Sequence, residues 1–199
     1  MPLVVSDKGR DNRIEIDAGV MELGNGTVTL LGNGNLVRIE SGCLLAQVNI
    51  SLGENCAFEA NRDCRLAAIE VVAYRHGLVA IGAQTKFTWH TRLYLHEPSR
   101  LTIGCSCLIA GATLLTTSDM HSILDLSTGT RINPAKDIVL GDRVWLASDA
   151  VVLKGSTIGT GSIVGFGSIV SGAIPEHVLC AGRPARPIRE NVSWDEALL

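Results

Sequence analysis

Hydrophobic positions recur every six residues between Leu140 and Pro175. Divided into sixes, this segment reads LGDRVW, LASDAV, VLKGST, IGTGSI, VGFGSI and VSGAIP. The first position of each six is aliphatic throughout: Leu140, Leu146, Val152, Ile158, Val164 and Val170. The fifth position is mostly small: Val144, Ala150, Ser156, Ser162, Ser168 and Ile174. A period of six fits neither an amphipathic helix nor an alternating strand, and it is typical of a solenoid of short strands joined by tight turns.

This period predicts which side chains face inward. The first position points a branched aliphatic side chain into the stack, and the fifth lies where only a small side chain fits. Glycine occupies the second position in three of the six, and we expect it to supply the positive φ angles that the turns need. The same spacing appears upstream, between Ile81 and Phe87 and again through Ile103, Ile109 and Leu115.

The repeat stops at Ser118 and resumes at Leu140, which predicts an extruded loop over about residues 118–139. Such an excursion from a regular scaffold indicates function, because a rigid scaffold can position the side chains of a loop. Residues 14–58 carry hydrophobic pairs separated by glycine and asparagine, and we interpret them as irregular first coils. Residues 59–78 leave two structures open, a coil with an insertion and a short helix.

The two ends of the chain are predicted to lie outside the solenoid, which would span residues 14–175. Residues 1–13 are polar and are interpreted as an irregular lead-in. Residues 176–199 are predicted to form a C-terminal extension. Its last residues, SWDEALL, are predicted to form a short capping helix with Ser193 as the N-cap.

The composition fits a narrow prism. Hydrophobic residues make up 46% of the chain but aromatic residues only 4%, and there are 21 glycines. The net charge of -3 gives no electrostatic reason to expect nucleic acid or an anionic membrane as a partner. No apolar run approaches the ~20 residues of a transmembrane helix. The first residues lack the features of a signal peptide, so we expect a cytoplasmic protein.

The six cysteines raise the alternatives of disulfides or a zinc site. Cys43, Cys56 and Cys107 each follow an aliphatic position by four residues, which predicts buried structural thiols. Cys105 and Cys107 form one close pair without a second such pair, so a four-cysteine zinc site is unsupported. Cys180 is the cysteine that we expect to be exposed.

These motifs resemble those of the hexapeptide-repeat acyltransferases. The segment IPEHVLCAGRPARPIRE resembles the exit segment of that family through Gly182, Pro184, Ala185, Arg186 and Ile188. The segments TTSDMHSI and INPAKDIVLGDRVWLA resemble the branch that O-acetylates sugars and polysaccharides. The resemblance implies an all-β fold, a left-handed parallel β-helix with one extruded loop and a short C-terminal extension. It also implies a homotrimer, acetyl-CoA as co-substrate, and a sugar, a bacterial polysaccharide or its precursor as acceptor.

The resemblance assigns roles to residues in and near the loop. His121 is predicted to be the general base that deprotonates the acceptor hydroxyl, which attacks the thioester directly in a site between subunits. Trp145 is predicted to assist, as an indole N–H donor or as a wall of the thioester channel. Packing of Trp145 between subunits is the alternative. Asp119 is assigned to the acceptor site, where it could orient the imidazole.

The predicted acetyl-CoA site also comes from the resemblance. In that family the pantetheine arm runs between adjacent subunits along the C-terminal coils, and guanidinium groups suit the phosphates. The predicted cofactor-binding residues are Ala147, Ser148, Lys154, Gly165, Phe166, Ser171, Gly172, Arg183, Arg186 and Arg189. Ala147 departs from the family's usual glycine, and Phe166 from its usual small residue. A solvated tail is the alternative for the arginines.

Acceptor contacts are predicted from the unusual aromatic content of residues 74–96. Trp89, His90 and Tyr94 are assigned to the acceptor because aromatic faces suit sugar rings, and contacts with a neighbouring subunit are the alternative.

Two other functions stay open at this point. The γ-type carbonic anhydrases use the same helix with three histidines on zinc, and His90, His96 and His121 could be imagined in that role. A non-catalytic trimeric scaffold that has kept the fold is the other alternative.

Overall fold

The chain winds as a three-sided parallel β-helix. The computed structural model describes residues 2–199. Within this range three eight-stranded sheets form the faces of a prism, and consecutive strands lie in different sheets up to β23 (Val178–Gly182). Each turn of the chain around the prism is a coil. Neighbouring strands are parallel except for the last pair, β23 (Val178–Gly182) and β24 (Ala185–Glu190).

The strands are distributed evenly over the three sheets. Sheet A contains β1 (Leu3–Asp7), β3 (Gly26–Leu30), β6 (Val48–Glu54), β9 (Ile69–Arg75), β12 (Thr91–Leu95), β15 (Leu114–Thr116), β18 (Val151–Leu153) and β21 (Ile169–Val170). Sheet B contains β2 (Arg13–Ile16), β4 (Leu36–Ile39), β7 (Ala57–Ala60), β10 (Gly77–Ile81), β13 (Ser99–Ile103), β16 (Ile138–Leu140), β19 (Thr157–Ile158) and β22 (Ala173–Ile174). Sheet C contains β5 (Leu44–Ala46), β8 (Arg65–Ala67), β11 (Lys86–Phe87), β14 (Leu108–Ile109), β17 (Trp145–Leu146), β20 (Ile163–Val164), β23 and β24.

The first residue of each six faces the interior, as the period predicts. In sheet B, Leu140 pairs with Ile103 on one side and with Ile158 on the other. In sheet C, Val164 pairs with Leu146, and both side chains are fully buried. Because every coil repeats this arrangement, the core is a continuous column of aliphatic side chains.

The small fifth residues bond one coil to the next. Ser162 is fully buried, and its hydroxyl donates to Pro175 O (2.7 Å) and accepts from Val178 N (3.1 Å). Ser168 accepts from Gly182 N (3.1 Å) in the same way. A hydroxyl in this position therefore satisfies backbone groups that the corners would otherwise leave unpaired.

Glycine supplies positive φ angles to the turns, as predicted, at Gly155, Gly161 and Gly167, but the glycines at the second position do not. The left-handed backbone lies at the fourth position, as at Arg143 (φ 52°) and Gly155 (φ 75°). Gly141 and Gly159, at second positions, are not among the residues with positive φ. A Cβ atom on Gly141 would lie 2.8 Å from Thr160 N in the next coil. Glycine is required there because two backbones approach closely.

The N-terminal region is more regular than its sequence pattern indicates. The predicted irregular lead-in over residues 1–13 instead contains β1, whose Leu3 is buried and whose backbone pairs with β3. Helix α1 (Ala18–Leu23) follows β2 in the place of a sheet C strand, with Asp17 as its N-cap and Val20 buried. Residues 59–78 contain β8 and β9 and form a regular part of the β-helix, without a helix or an insertion. No helix in residues 2–199 is long and apolar enough to cross a membrane.

The C-terminal region also differs from the prediction. The β-helix continues beyond residue 175, because β23 adds Val178 and Cys180 to the core column. The expected capping helix at Ser193 does not form. Trp194 donates from its indole to Arg143 O (2.6 Å), and Arg143 Nη2 donates to Trp194 O (3.0 Å). These bonds hold a segment that is too short to nucleate a stable helix.

All six cysteines are free thiols. Cys43, Cys56 and Cys107 are buried, which confirms the prediction from their spacing. Cys180 is buried rather than exposed, because it faces inward in β23, and burial raises the pKa of its thiol to about 11. Cys105 is the exposed cysteine.

The core column generates a prediction about Val164. Val164→Asp should leave an unpaired carboxylate in the dry interior and destabilise the fold by more than ~3 kcal/mol. Val139→Asp is the matched control, because Val139 is 43% exposed on the outer face of sheet B. Thermal unfolding of both variants tests this. Equal melting temperatures for the two would contradict the assignment of inner and outer faces.

Candidate active site

The extruded loop leaves the prism where sheets A and B meet. It joins β15 to β16 and spans residues 117–137, close to the predicted span of 118–139. An antiparallel bridge between Leu124 and Arg131 makes it a compact hairpin. We call the corner that carries this loop the loop corner. His121 lies near the start of the loop and is exposed to solvent.

Asn133 holds the backbone around His121. Its Nδ2 donates to His121 O (2.8 Å) and to Asp119 Oδ2 (2.8 Å). Its Oδ1 accepts from Ile123 N (2.7 Å). Only 7% of Asn133 is exposed. The amide therefore joins both strands of the hairpin and fixes the position from which His121 projects.

An ion pair fastens the hairpin to the preceding coil. Arg131 donates to both carboxylate oxygens of Glu97, at 2.6 and 2.8 Å. The Ser118 hydroxyl also bonds to Glu97. The Arg131 guanidinium, followed by the Ser118 hydroxyl, lowers the pKa of Glu97 to about 2. Glu97 therefore stays ionised at neutral pH and holds the base of the loop.

Lys154 supports the loop from the following coil. It donates to the Asp119 carboxylate and to the backbone oxygens of Asn133 (3.0 Å) and Pro134 (3.3 Å). The Lys154 ammonium, followed by the Asn133 amide, holds the pKa of Asp119 below its usual range. Asp119 thus bonds to Lys154 and Asn133, which differs from the expectation that it orients the imidazole. The predicted contact of Lys154 with a phosphate stays a prediction.

A second group of predicted residues lies where sheet C passes into sheet A. We call this corner the C/A edge; it runs through Trp89, Gly111, Ala147 and Gly165. Its coils are joined by backbone hydrogen bonds, for example from Ala112 N to Trp89 O (3.0 Å), from Asp149 N to Gly111 O (3.0 Å) and from Gly167 N to Ser148 O (3.0 Å).

The C-terminal part of the C/A edge gathers several of the predicted cofactor residues. Phe166 projects into solvent and is 74% exposed. Arg183 lies over the same edge, because its Nε donates to Gly167 O (2.7 Å). Arg186 and Arg189 follow on the exposed strand β24. Ser171 and Gly172 lie elsewhere, on the coil that follows Lys154 at the loop corner.

Trp145 lies on the outer face of sheet C, opposite the loop corner. Its ring centroid is 6.1 Å from that of Trp194, and the Arg143 guanidinium lies 5.4 Å from the Trp194 ring centroid. The partner of Trp145 within this chain is therefore the C-terminal segment. Both roles predicted for Trp145, in catalysis and in packing between subunits, stay predictions.

The predicted acceptor residues occupy two different positions. Trp89 and His90 are adjacent on the C/A edge, with ring centroids 4.7 Å apart in a T-shaped arrangement. Tyr94 lies on the outer face of sheet A, and its hydroxyl donates to Glu70 (2.7 Å). Burial, followed by this bond to Glu70, raises the pKa of Tyr94. Within residues 2–199, no group of three or more histidine, cysteine or acidic residues could hold a metal ion.

One chain therefore does not bring the predicted site together. The full width of sheet A separates His121 at the loop corner from Ala147 and Phe166 at the C/A edge. The sequence did not single out Asn133, Glu97 or Arg131. They lack a spacing signal, since loop contacts depend on tertiary structure and not on the six-residue period.

Comparison with known proteins agrees with this architecture. Residues 137–172 match the family described as "Bacterial transferase hexapeptide (six repeats)". The chain is 32% identical over 153 residues to the polysialic acid O-acetyltransferase of Neisseria meningitidis, covering 75% of this chain and 69% of that protein.

The chain belongs to the hexapeptide-repeat acyltransferase family. The sequence-based predictions that the protein belongs to this family and is an acyltransferase are confirmed. Membership of the acyltransferases removes the support for a γ-type carbonic anhydrase.

Two further comparisons define the extent of the likeness. The polysialic acid O-acetyltransferase of Escherichia coli O1:K1 / APEC is 36% identical over 125 residues, which cover 63% of this chain but only 40% of that protein. The crystal structure of the polySia specific acetyltransferase NeuO has a TM-score of 0.88 and 29% identity, covering 100% of this chain and 92% of that one. The predicted fold, a left-handed parallel β-helix, is confirmed.

The loop network of this acyltransferase predicts an effect of Asn133. Asn133→Ala removes the hydrogen bonds that fix His121, so we expect turnover to fall ~10-fold with little change in KM. Thr128→Ala, at the exposed tip of the same hairpin, is the control and should retain full turnover. Steady-state kinetics and melting temperatures measure both variants. Unchanged turnover of Asn133→Ala would show that this amide does not position the loop for catalysis.

Proposed function

We propose that this protein transfers an acetyl group from acetyl-CoA to a hydroxyl of a sugar or polysaccharide, with His121 as general base. The relatives named above are polysialic acid O-acetyltransferases. Their names support acetyl as the transferred group and a glycan hydroxyl as the acceptor.

The observation that carries the proposal is the way in which His121 is presented. It is an exposed imidazole on a loop that Asn133, Glu97 and Lys154 fasten from three sides. Histidine is the side chain suited to proton exchange near neutral pH. A fixed loop also lets it meet a bound hydroxyl at little cost in conformational entropy.

The proposed reaction is a direct transfer. The imidazole of His121 takes the proton of the acceptor hydroxyl, and the oxygen attacks the thioester carbonyl carbon. The new C–O bond gives a tetrahedral oxyanion, which collapses with cleavage of the C–S bond. The leaving thiolate then receives the proton from the imidazolium. Trp145 is assigned as a donor to the oxyanion or as a wall of the channel.

We infer that the site lies in a seam between two protomers of a homotrimer. The loop corner carries the base, together with Lys154, Ser171 and Gly172, while the C/A edge carries the remaining cofactor candidates. A rotation axis parallel to the prism can bring the loop corner of one protomer against the C/A edge of the next. The pantetheine arm would then lie between the two, near Ala147, Ser148, Gly165 and Phe166.

The exit segment supplies the charge that the CoA phosphates require. Arg183, Arg186 and Arg189 lie at the C-terminal end of the C/A edge or on β24 beside it. Guanidinium groups bind phosphate through two parallel hydrogen bonds, which fixes the orientation of the nucleotide end of acetyl-CoA.

The role of His121 is tested by its removal. His121→Ala should lower kcat by ~10²-fold or more, because no other group accepts the proton of the acceptor. Binding of acetyl-CoA, measured as a rise in melting temperature, should remain. His177→Ala, an exposed histidine at another corner, is the control and should retain full turnover. Near-normal turnover of His121→Ala would reject the mechanism.

The seam between protomers is tested by complementation. Two variants, His121→Ala and Ala147→Trp, should each be inactive alone, since one lacks the base and the other blocks the C/A edge. Unfolded and refolded together in equal amounts, they should recover about a quarter of the wild-type activity, because an intact seam needs one protomer of each kind. No recovery from trimers shown to be mixed would mean that the base and the cofactor edge belong to one chain.

A further inference from the structure

The C/A edge contains a cavity that the transfer chemistry does not use. It has a volume of about 660 Å³, within the usual range for a small-molecule site. It extends along the N-terminal coils, away from the predicted cofactor residues. Its lining residues are Pro2, Val4, Asn25, Gly26, Thr27, Ala46, Gln47, Ala67, Ala68 and Trp89.

The cavity exists because successive coils carry small residues at this corner. Ala46 and Ala68 are stacked, with Ala68 N donating to Ala46 O (2.7 Å). Trp89 closes the C-terminal end of the cavity, and this residue is 55% exposed. Trp89 itself is held by the ring of His90 and by Gly111, where an added Cβ would lie 3.2 Å from Trp89 Cβ.

The chemistry of the lining is that of a carbohydrate site. The exposed indole offers an apolar face for a sugar ring. Asn25 Oδ1 accepts from Gln47 N, and the Thr27 hydroxyl donates to Asn49 Oδ1. The Gln47 amide, Asn25 Nδ2 and the lone pairs of the Thr27 hydroxyl are left for the hydroxyls of a sugar. None of the ten lining residues is ionisable. A carboxylate-bearing sugar would therefore enter without a counter-charge, which is costly in a partly desolvated site.

A second cavity continues the first toward the C-terminal coils. It has a volume of about 290 Å³, shares Ala68 with the first cavity, and is lined further by Glu70, His90, Thr91, Arg92 and Ala112. From Ala68 to Ala147 the edge rises by three coils, which is roughly 14 Å at the usual spacing of about 4.8 Å between strands. A sugar in the first cavity is thus remote from Ala147, beside which we place the pantetheine arm, and one molecule that reaches both must be a chain of several sugars.

We propose that the cavity from Pro2 to Trp89 is a subsite for uncharged sugar units of an oligosaccharide or polysaccharide acceptor. The inference rests on the proposed function. The acceptor that we propose differs from that of the relatives named for polysialic acid, because polysialic acid carries a carboxylate on each sugar. The units in the cavity hold the polysaccharide, and a unit further along the edge, nearer Ala147, presents the hydroxyl to be acetylated.

The subsite is tested by direct binding without acetyl-CoA. The probes are hexasaccharides of glucose, galactose and N-acetylglucosamine, compared with a hexamer of sialic acid, in titration calorimetry and saturation-transfer NMR. At least one neutral probe should bind, and the sialic acid hexamer should bind at least ~10-fold more weakly. Absence of binding by all neutral probes, or equal binding of the sialic acid hexamer, would overturn the proposal.

Three variants locate the binding. Trp89→Ala removes the aromatic face, and Ala46→Trp fills the cavity. Each variant should bind the neutral probe ~10-fold more weakly. Tyr74→Ala is the matched control, because Tyr74 is 56% exposed but lies next to the loop corner. The affinity of this variant for the neutral probe should be unchanged. Unchanged affinity in both cavity variants would reject this location.

Failure of the subsite can be distinguished from failure of the proposed function. If acetyl is transferred to a neutral polysaccharide at a rate that Trp89→Ala does not change, the acetyltransferase function stands and the subsite is rejected. If a neutral oligosaccharide binds and its binding requires Trp89, but no acetyl is transferred to any sugar, the subsite stands and the proposed function is rejected.

Discussion

The spacing of stacked coils is the constraint on which the rest of this molecule depends. Parallel strands lie about 4.8 Å apart, so each inward side chain must fit a triangular section that the next coil repeats. The column through Leu146 and Val164 meets this condition with aliphatic groups, and Ser162 meets it at a corner with a hydroxyl that bonds to the next coil. Gly141 meets it by having no side chain where Thr160 approaches. A rigid prism results, and variation is left to its outer faces and to those corners where no neighbouring backbone approaches.

The period of six was sufficient to predict the register of the C-terminal coils, because each repeat places the same residue type in the same environment. It could not predict which position turns left-handed. That position is occupied by Arg143 in one six-residue repeat and by Gly155 in another, so residue type does not reveal it. The N-terminal coils were harder, because strands such as β6 and β9 have seven residues and the spacing between aliphatic positions changes with strand length.

The candidate site was predictable only in part. The loop that carries His121 could be located because the period fails there, and the family resemblance then assigned the role of base to that histidine. The network that holds it was not visible, since Glu97 and Arg131 are separated by 34 positions and meet only after the hairpin folds back. The role of Asp119 also depended on such a contact, as Lys154 reaches its carboxylate from the next coil. Family resemblance supplied the residue list, and the fold divided that list among two corners of the prism and the outer faces of sheets A and C.

The separation of loop corner and C/A edge has a further consequence for how such a protein can change. Duplication of one N-terminal coil would lengthen the edge by about 4.8 Å and leave the cross-section as it is. The geometry at His121 and at Ala147 would not be altered, because both belong to later coils. The length of the edge that can contact a polymer can therefore change without a change in the geometry of the reacting groups.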